Sequence, residues 1–192
     1  MELLKSRILA DGRALNEQVL LVDSFLNHQV DPGLMEKIGE EFARIFADAG
    51  VTKVATIESS GIAPAVMTAL KLNVPMVIMK KQVSSILKDG IIQTEVFSFT
   101  KNSVYRLTLK AAFINENDNV LIIDDFLANG EAAFGAIRLV EQAGGKVAGV
   151  GAVIAKAFQP GLNRLRAAGY RAEALAPVRR IGENIIEFGE VK

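Results

Sequence analysis

The stretch Val120-Leu121-Ile122-Ile123-Asp124-Asp125-Phe126-Leu127-Ala128-Asn129-Gly130-Glu131-Ala132-Ala133 decides the fold. Its first four residues are apolar without alternation, which fits a strand buried on both faces and hence a parallel sheet. Two adjacent acids, Asp124 and Asp125, fall at that strand's carboxyl end. Open α/β sheets bind their ligands along this edge. The small residues Ala128, Asn129 and Gly130 then lead into a helix opening at Glu131. Such a turn lets backbone N–H groups approach an anion at a helix N-terminus.

Working outward, the chain repeats the same kind of unit. Lys53 to Ile57 reads as a strand that runs into Glu58-Ser59-Ser60-Gly61. A helix follows through Ala63 to Leu72, with Pro64 in its first turn, and Val74 to Met79 is the next strand. Strand, loop, helix and strand make a right-handed parallel βαβ unit. Lys80 and Lys81 close its second strand. Downstream, Glu131 to Ala143 is helical and stops at Gly144-Gly145. Val147 to Ala155 is another buried strand, with Lys156-Ala157-Phe158-Gln159 after it. Pro160-Gly161 starts a helix to about Ala168. Short strands near Tyr170 to Leu175 and Asn184 to Phe188 complete the chain. A parallel sheet therefore places Glu58–Gly61, Lys80–Lys81, Asp124–Asp125 and Lys156 along one edge.

The N-terminal third is more varied. Residues 2–10 predict a short helix stopped by Asp11-Gly12. Glu17 to Val22 reads as extended, and Ser24 to Gln29 as a polar segment facing ligand or solvent. Asp31-Pro32 predicts a helix start, an N-cap acid followed by proline. Apolar residues at helical spacing continue from Leu34 to Phe46, with Gly50 as the stop. Residues 82–90 are polar and read as an exposed loop. Val96 to Thr100 and Val104 to Leu109 alternate in polarity around Lys101-Asn102-Ser103, the pattern of a β-hairpin.

Composition narrows the function classes. The chain has 192 residues, half of them apolar, which predicts one domain with a sizeable core. Lysine plus arginine equals aspartate plus glutamate at 22 each, so no global field favours nucleic acid or an anionic membrane. Cysteine is absent, which excludes disulfides and thiol chemistry. His28 is the single histidine, so chemistry needing two is excluded. The N-terminus does not read as a signal peptide, and no apolar run approaches the length of a membrane span. A cytoplasmic location is the expectation.

Val120 to Ala133 resembles the phosphoribosyl-diphosphate signature of the type I phosphoribosyltransferases. Leu20, Phe25-Leu26-Asn27, Glu58 to Pro64, Asp124 to Gly130 and Lys156 to Pro160 together resemble the bacterial xanthine-using branch of that family. The resemblance covers nearly the whole chain. It implies an α/β fold of the type I phosphoribosyltransferase kind: a mainly parallel five-stranded sheet, flanking helices and a small hood. A single domain would span 1–192, with the hood from about 1–35 plus the C-terminal strands and a flexible lid within about 82–110.

The implied reaction transfers phosphoribose from phosphoribosyl diphosphate to N9 of xanthine in purine salvage. By the same resemblance, Asp124 and Asp125 bind the ribose hydroxyls and offset the positive charge that grows on the ribose. Ala128, Asn129, Gly130, Glu131 and Ala132 cradle the 5′-phosphate through backbone N–H groups. Ser59 and Ser60 face the diphosphate in a loop that often holds a non-proline cis peptide. Lys81 reaches the diphosphate, with Lys80 the near alternative. Asn27 and Lys156 read the purine's 2-oxo group, Leu20 packs nearby and Phe158 stacks on the ring. Mg²⁺ is the implied cofactor, held mainly by the phosphoribosyl diphosphate and not by protein side chains. Xanthine and the diphosphate donor are the partners, in a homodimer that binds neither nucleic acid nor membrane. Two alternatives stay open: another purine transferase, for guanine, hypoxanthine or adenine, and a nucleotide-sensing regulator on the same fold.

Overall fold

The computed structural model describes residues 1–81, 90–99, 102–183 and 185–189. At its centre lie β3 (Lys53–Ile57), β4 (Met76–Met79), β7 (Asn119–Leu127), β8 (Lys146–Lys156), β9 (Ala172–Gly182) and β10 (Ile185–Phe188), in the order β10-β9-β8-β7-β3-β4. The strands from β9 to β4 are mutually parallel, and β10 runs antiparallel to β9. The predicted parallel core is therefore present, but the C-terminal strands expected in the hood instead extend this sheet to six strands, because β9 finds a parallel partner in β8 and β10 folds back on β9.

Alternate residues of β7 feed opposite faces. Leu121 and Ile123 pack with α2 (Pro32–Ile45) and α3 (Ile62–Leu72), whereas Val120 and Ile122 pack with α4 (Glu131–Gln142) and α5 (Gly161–Ala167). None of the four is more than 1% exposed, which is why the run shows no alternation. The chain winds one way from β3 through α3 to β4, and the other way from β7 through α4 to β8. The crevice between β3 and β7 is thus the switch point where such sheets bind ligands.

The α2–α3 crossing depends on Gly39. A Cβ there would lie 2.6 Å from the Met67 carbonyl carbon and 2.7 Å from its oxygen, so α2 can carry no side chain at that point. Gly39→Val should cost about 1–3 kcal/mol through overpacking, read as a fall in Tm of about 2–4 °C per kcal/mol. Activity per folded molecule should survive, because the crossing is remote from the crevice. An unchanged melting curve would show that the helices part freely.

The N-terminal segment covers one end of the sheet. It contains α1 (Glu2–Asp11), a two-residue ladder of β1 (Arg13–Ala14) and β2 (Leu20–Leu21), and a π-helical turn over Asp23–Asn27. Leu4, Ile8, Leu20, Phe25 and Leu26 share a core with Val178 and Ile181 of β9, and with partly buried Ile186 and Phe188 of β10. The Met1 amine donates to the Leu175 carbonyl at 2.7 Å.

Several boundaries differ from the sequence reading for identifiable reasons. Only Leu20 and Leu21 of Glu17–Val22 are extended, because they alone meet a partner strand. The segment Ser24–Gln29 is not uniformly polar-facing: its π-turn buries Phe25 and Leu26 and leaves Asn27 exposed. Helix α2 begins as predicted, with Asp31 accepting from the Leu34 N–H at 3.1 Å. It ends at Ile45, and Gly50 closes a separate turn at φ +60°. The Tyr170–Leu175 strand extends to Gly182, because β8 supplies a parallel partner as far as Val178 and β10 pairs beyond it. The strand bearing the acids also runs further, to Leu127, since Phe126 and Leu127 pair with Ile154 and Ala155.

The predicted hairpin is β5 (Ile91–Ser98) with β6 (Ser103–Lys110), longer at its open end than the alternation indicates. It forms its own two-stranded sheet, joined to the end of β4 by reciprocal hydrogen bonds between Lys80 and Thr108. Arg138 of α4 holds its outer strand through the Thr94 hydroxyl and the Glu95 carbonyl. The predicted loop over 82–89 and the tip residues Thr100 and Lys101 lie outside the described residues.

Candidate active site

A cavity of about 940 Å³ opens along the carboxyl edge of the sheet beside β7. Its floor is the turn that leaves β7. Gly130 adopts φ +91°, a left-handed conformation that favours glycine. No side chain caps the N-terminus of α4, so the helix's first N–H groups remain available at the positive end of its dipole. The turn is braced from behind by α5. The Gly161 N–H donates to the Ala128 carbonyl at 3.0 Å. A Cβ on Gly161 would clash with the Ala128 oxygen and lie 2.8 Å from the Gly130 nitrogen.

The two acids behave differently. Asp124 lines the cavity, and its carboxylate accepts from the Asp125 N–H at 3.0 Å. Burial and then the negative charge of Asp125 push the Asp124 carboxyl well above the usual carboxylate range, with Lys81 pulling weakly the other way. Asp125 accepts a hydrogen bond from the Asn27 side-chain amide at 2.9 Å. The π-turn of the hood is thereby tied to the acid pair. Asn27 still lines the cavity, but its amide is engaged with Asp125, a contact between residues 98 positions apart that spacing could not reveal.

The Glu58–Ser59 peptide bond is cis, a feature the sequence alone leaves open. Ser59 is exposed and Ser60 half-buried. Gly61 keeps this loop against β7, since a Cβ on it would meet the Thr56 hydroxyl and lie 2.9 Å from an Asp124 carboxylate oxygen. Glu58 accepts from the Lys81 backbone N–H at 2.7 Å and pairs with the Lys80 ammonium at 3.2 Å. Lys81 instead points its ammonium toward the ring of Tyr105, 5.9 Å from its centre. Burial, then the charge of Asp124, raises the Tyr105 phenol above its usual range.

At the far end, Lys156 lies partly buried, and burial lowers its ammonium below the ordinary lysine range. It donates to the Gln18 carbonyl at 2.7 Å and sits 5.9 Å from the centre of the Phe126 ring. The cavity gathers Leu20, Asn27, Asp124, Lys156 and the Ala128–Ala132 turn, while Ser59, Ser60 and Lys81 stand on the neighbouring strand ends outside its lining. Phe158 does not line it and is 38% exposed. The aromatic ring at this end is Phe126, because β7 continues past the acids and turns that side chain into the cavity under Lys156.

The sequence reading places a lid within 82–110 without naming the residues it turns to the site, and it misses Gln159 and Arg164. The hairpin supplies a wall from Phe97, Phe99 and Tyr105, with the two phenylalanine rings edge to face at 4.9 Å. Their recurrence at alternate positions was the available signal. Gln159 lines the cavity with its side-chain oxygen buried and without a hydrogen-bond partner. Arg164 reaches the Ala128–Ala132 turn from α5, donating to the Asn129 carbonyl and to the Glu131 carboxylate at 2.6 Å each.

An uncapped helix start behind a small-residue turn and an acid pair at a switch point meet in this cavity beneath the N-terminal segment. The chain belongs to the phosphoribosyl transferase domain family, whose model matches residues 29–164. It is 59% identical to xanthine phosphoribosyltransferase 1 of Clostridium botulinum, across 98% of this chain and 99% of that one. It is 50% identical to the xanthine phosphoribosyltransferase of Pseudomonas putida, across 99% of this chain and all of that one. Among solved structures, the adenine phosphoribosyltransferase of Rhodothermus marinus superposes with a TM-score of 0.75 at 24% identity, over 93% of this chain and 100% of that one. At that identity the likeness concerns the fold alone. Among the described residues, no helix is long and apolar enough to cross a membrane.

Proposed function

We propose that the protein transfers phosphoribose from phosphoribosyl diphosphate to N9 of xanthine, releasing diphosphate and forming xanthosine 5′-monophosphate. The observation that carries this reading is one cavity holding the uncapped phosphate turn, Asp124 and Lys156 together. Near-full-length similarity to xanthine phosphoribosyltransferases supports the choice of base.

Each part has a physical task. The turn from Ala128 to Ala132 offers N–H groups to the 5′-phosphate. Asp124 and Asp125 hold the ribose and stabilise the positive charge that develops at C1 as its bond to the diphosphate breaks and the bond to N9 forms. Ser59, Ser60 and Lys81 receive the leaving diphosphate. Lys156 and Asn27 meet the 2-oxo side of the base, with Leu20 beside it and Phe126 offering a ring face. Tyr105 and the Phe97–Phe99 pair keep water from the cation-like centre.

Mg²⁺ suits this arrangement as an ion carried on the donor. Among the described residues no three acids or imidazoles converge as a metal cage. When bound, the ion would neutralise the leaving diphosphate. The same reading carries a cytoplasmic, homodimeric enzyme of purine salvage.

Steady-state turnover with xanthine, guanine, hypoxanthine and adenine tests the assignment. Xanthine should give the highest kcat/KM, and adenine as the best base would overturn it. Lys156→Ala should lower kcat/KM for xanthine by roughly 10- to 100-fold, the worth of a hydrogen bond to a charged group. Donor affinity should stay within a few-fold, so equal losses for both substrates would remove Lys156 as a base reader.

A further inference from the structure

We propose that Arg164 is a positioning residue for the phosphate turn, holding its shape and keeping the Glu131 carboxylate off the anion site. The inference rests on the reading that this turn takes the donor's 5′-phosphate.

Glu131 is the first residue of α4, at the uncapped, electropositive end of the helix. Its backbone N–H is useful to a phosphate there. Its carboxylate is a hazard, because an anion on a flexible stem beside an anion site can occupy that site or repel the ligand. Arg164 resolves the conflict. One guanidinium nitrogen donates at 2.6 Å both to a Glu131 carboxylate oxygen and to the Asn129 carbonyl. The two partners flank Gly130, so a single planar group spans the left-handed residue and pins both of its neighbours. The guanidinium also lies 5.2 Å from the centre of the Phe134 ring, one turn further along α4. Gly161, one turn earlier in α5, presses against the same loop and sets the distance at which Arg164 reaches it.

Arg164 does not line the cavity, so it acts through the turn and not by touching the donor. Its contribution is electrostatic and geometric together. It cancels the one carboxylate at the helix start and fixes the Asn129 carbonyl away from the bound anion.

Arg164→Met keeps much of the stem that packs on Phe134 while removing the charge and the fork. Titration calorimetry with ribose 5-phosphate should show affinity falling roughly 10- to 100-fold. The donor KM should rise by a similar factor, while the KM for xanthine and the affinity for inorganic diphosphate hold within a few-fold. In Arg164→Met/Glu131→Gln the freed carboxylate is gone, and ribose 5-phosphate affinity should recover at least several-fold over the single variant. Wild-type affinity in Arg164→Met, or no recovery in the double variant, would overturn the proposal. A uniform loss across all ligands with a lowered Tm would do the same, marking a merely structural role. Should the unaltered enzyme bind no ribose 5-phosphate while turning over the donor, the phosphate assignment of the turn fails first, and the role of Arg164 with it.

Discussion

Asp124→Asn is expected to lower kcat by about 10²–10³-fold, the usual cost of removing one preorganised charge-stabilising group, while base binding changes little. The substitution preserves shape and keeps an oxygen to accept the Asp125 N–H. What it removes is the negative charge that would face the developing cation. The same variant should be more stable than the unaltered protein at neutral pH. Burial and Asp125 raise the Asp124 carboxyl in the folded state, so folding favours its protonated form. Stability from this group is therefore full below the unfolded carboxyl pKa of about 3.9. It is lost as pH rises toward the raised folded value, above which the whole penalty applies. Asparagine carries no such penalty, so Tm should rise at pH 7, by about 2–4 °C for each kcal/mol relieved. The gain should vanish below about pH 4. Stopped assays and melts at both pH values check the pair of expectations. Intact turnover would take Asp124 out of the catalytic set, and equal Tm differences at both pH values would show that its charge is not what strains the fold.

Gly161→Val is expected to raise the donor KM by about 10²-fold or more, since a misplacement near 1 Å can cost that much. No room exists for a side chain there: a Cβ clashes with the Ala128 carbonyl and crowds the Gly130 nitrogen. The phosphate turn must move outward, taking its N–H groups out of register. Lys156 lies on β8, Phe126 on β7 before the turn, and Leu20 and Asn27 in the N-terminal segment, so the KM for xanthine should stay within a few-fold. Circular dichroism will confirm that α5 and the sheet remain folded. A donor KM unchanged in the valine variant would mean that the turn is free to adapt and is not braced by α5.

The central strand, its two acids and the small-residue turn into α4 were legible because each depends on neighbours in sequence. Val120 to Ile123 cannot be a surface strand, and Gly130 before an uncapped helix is a local arrangement. The parallel direction of β3, β4, β7 and β8 also followed, because helix-bearing crossovers between short buried strands leave little alternative. The hood was less legible. Phe25 and Leu26 look like the ordinary neighbours of a polar loop until α1 and the end of β9 are seen closing on them. Phe126, and not Phe158, lines the cavity for a similar reason. Both are single aromatics near strand ends, and only the pairing of Phe126 with Ile154 shows that β7 goes on beyond the acids.

The sequence by itself determined the parallel α/β architecture, the sheet edge that carries Asp124, Asp125 and Lys156 and the residue types available there. Those properties come from periodicity and from the backbone's local needs, which act over a few residues. Only the tertiary structure decided how these groups are harnessed. Asn27 is tied to Asp125 across 98 positions, Lys156 to the Gln18 carbonyl across 138, and Arg164 to Asn129 and Glu131 across 35 and 33. Such contacts are set by where separate elements come to rest against one another, and no spacing along the chain encodes that distance.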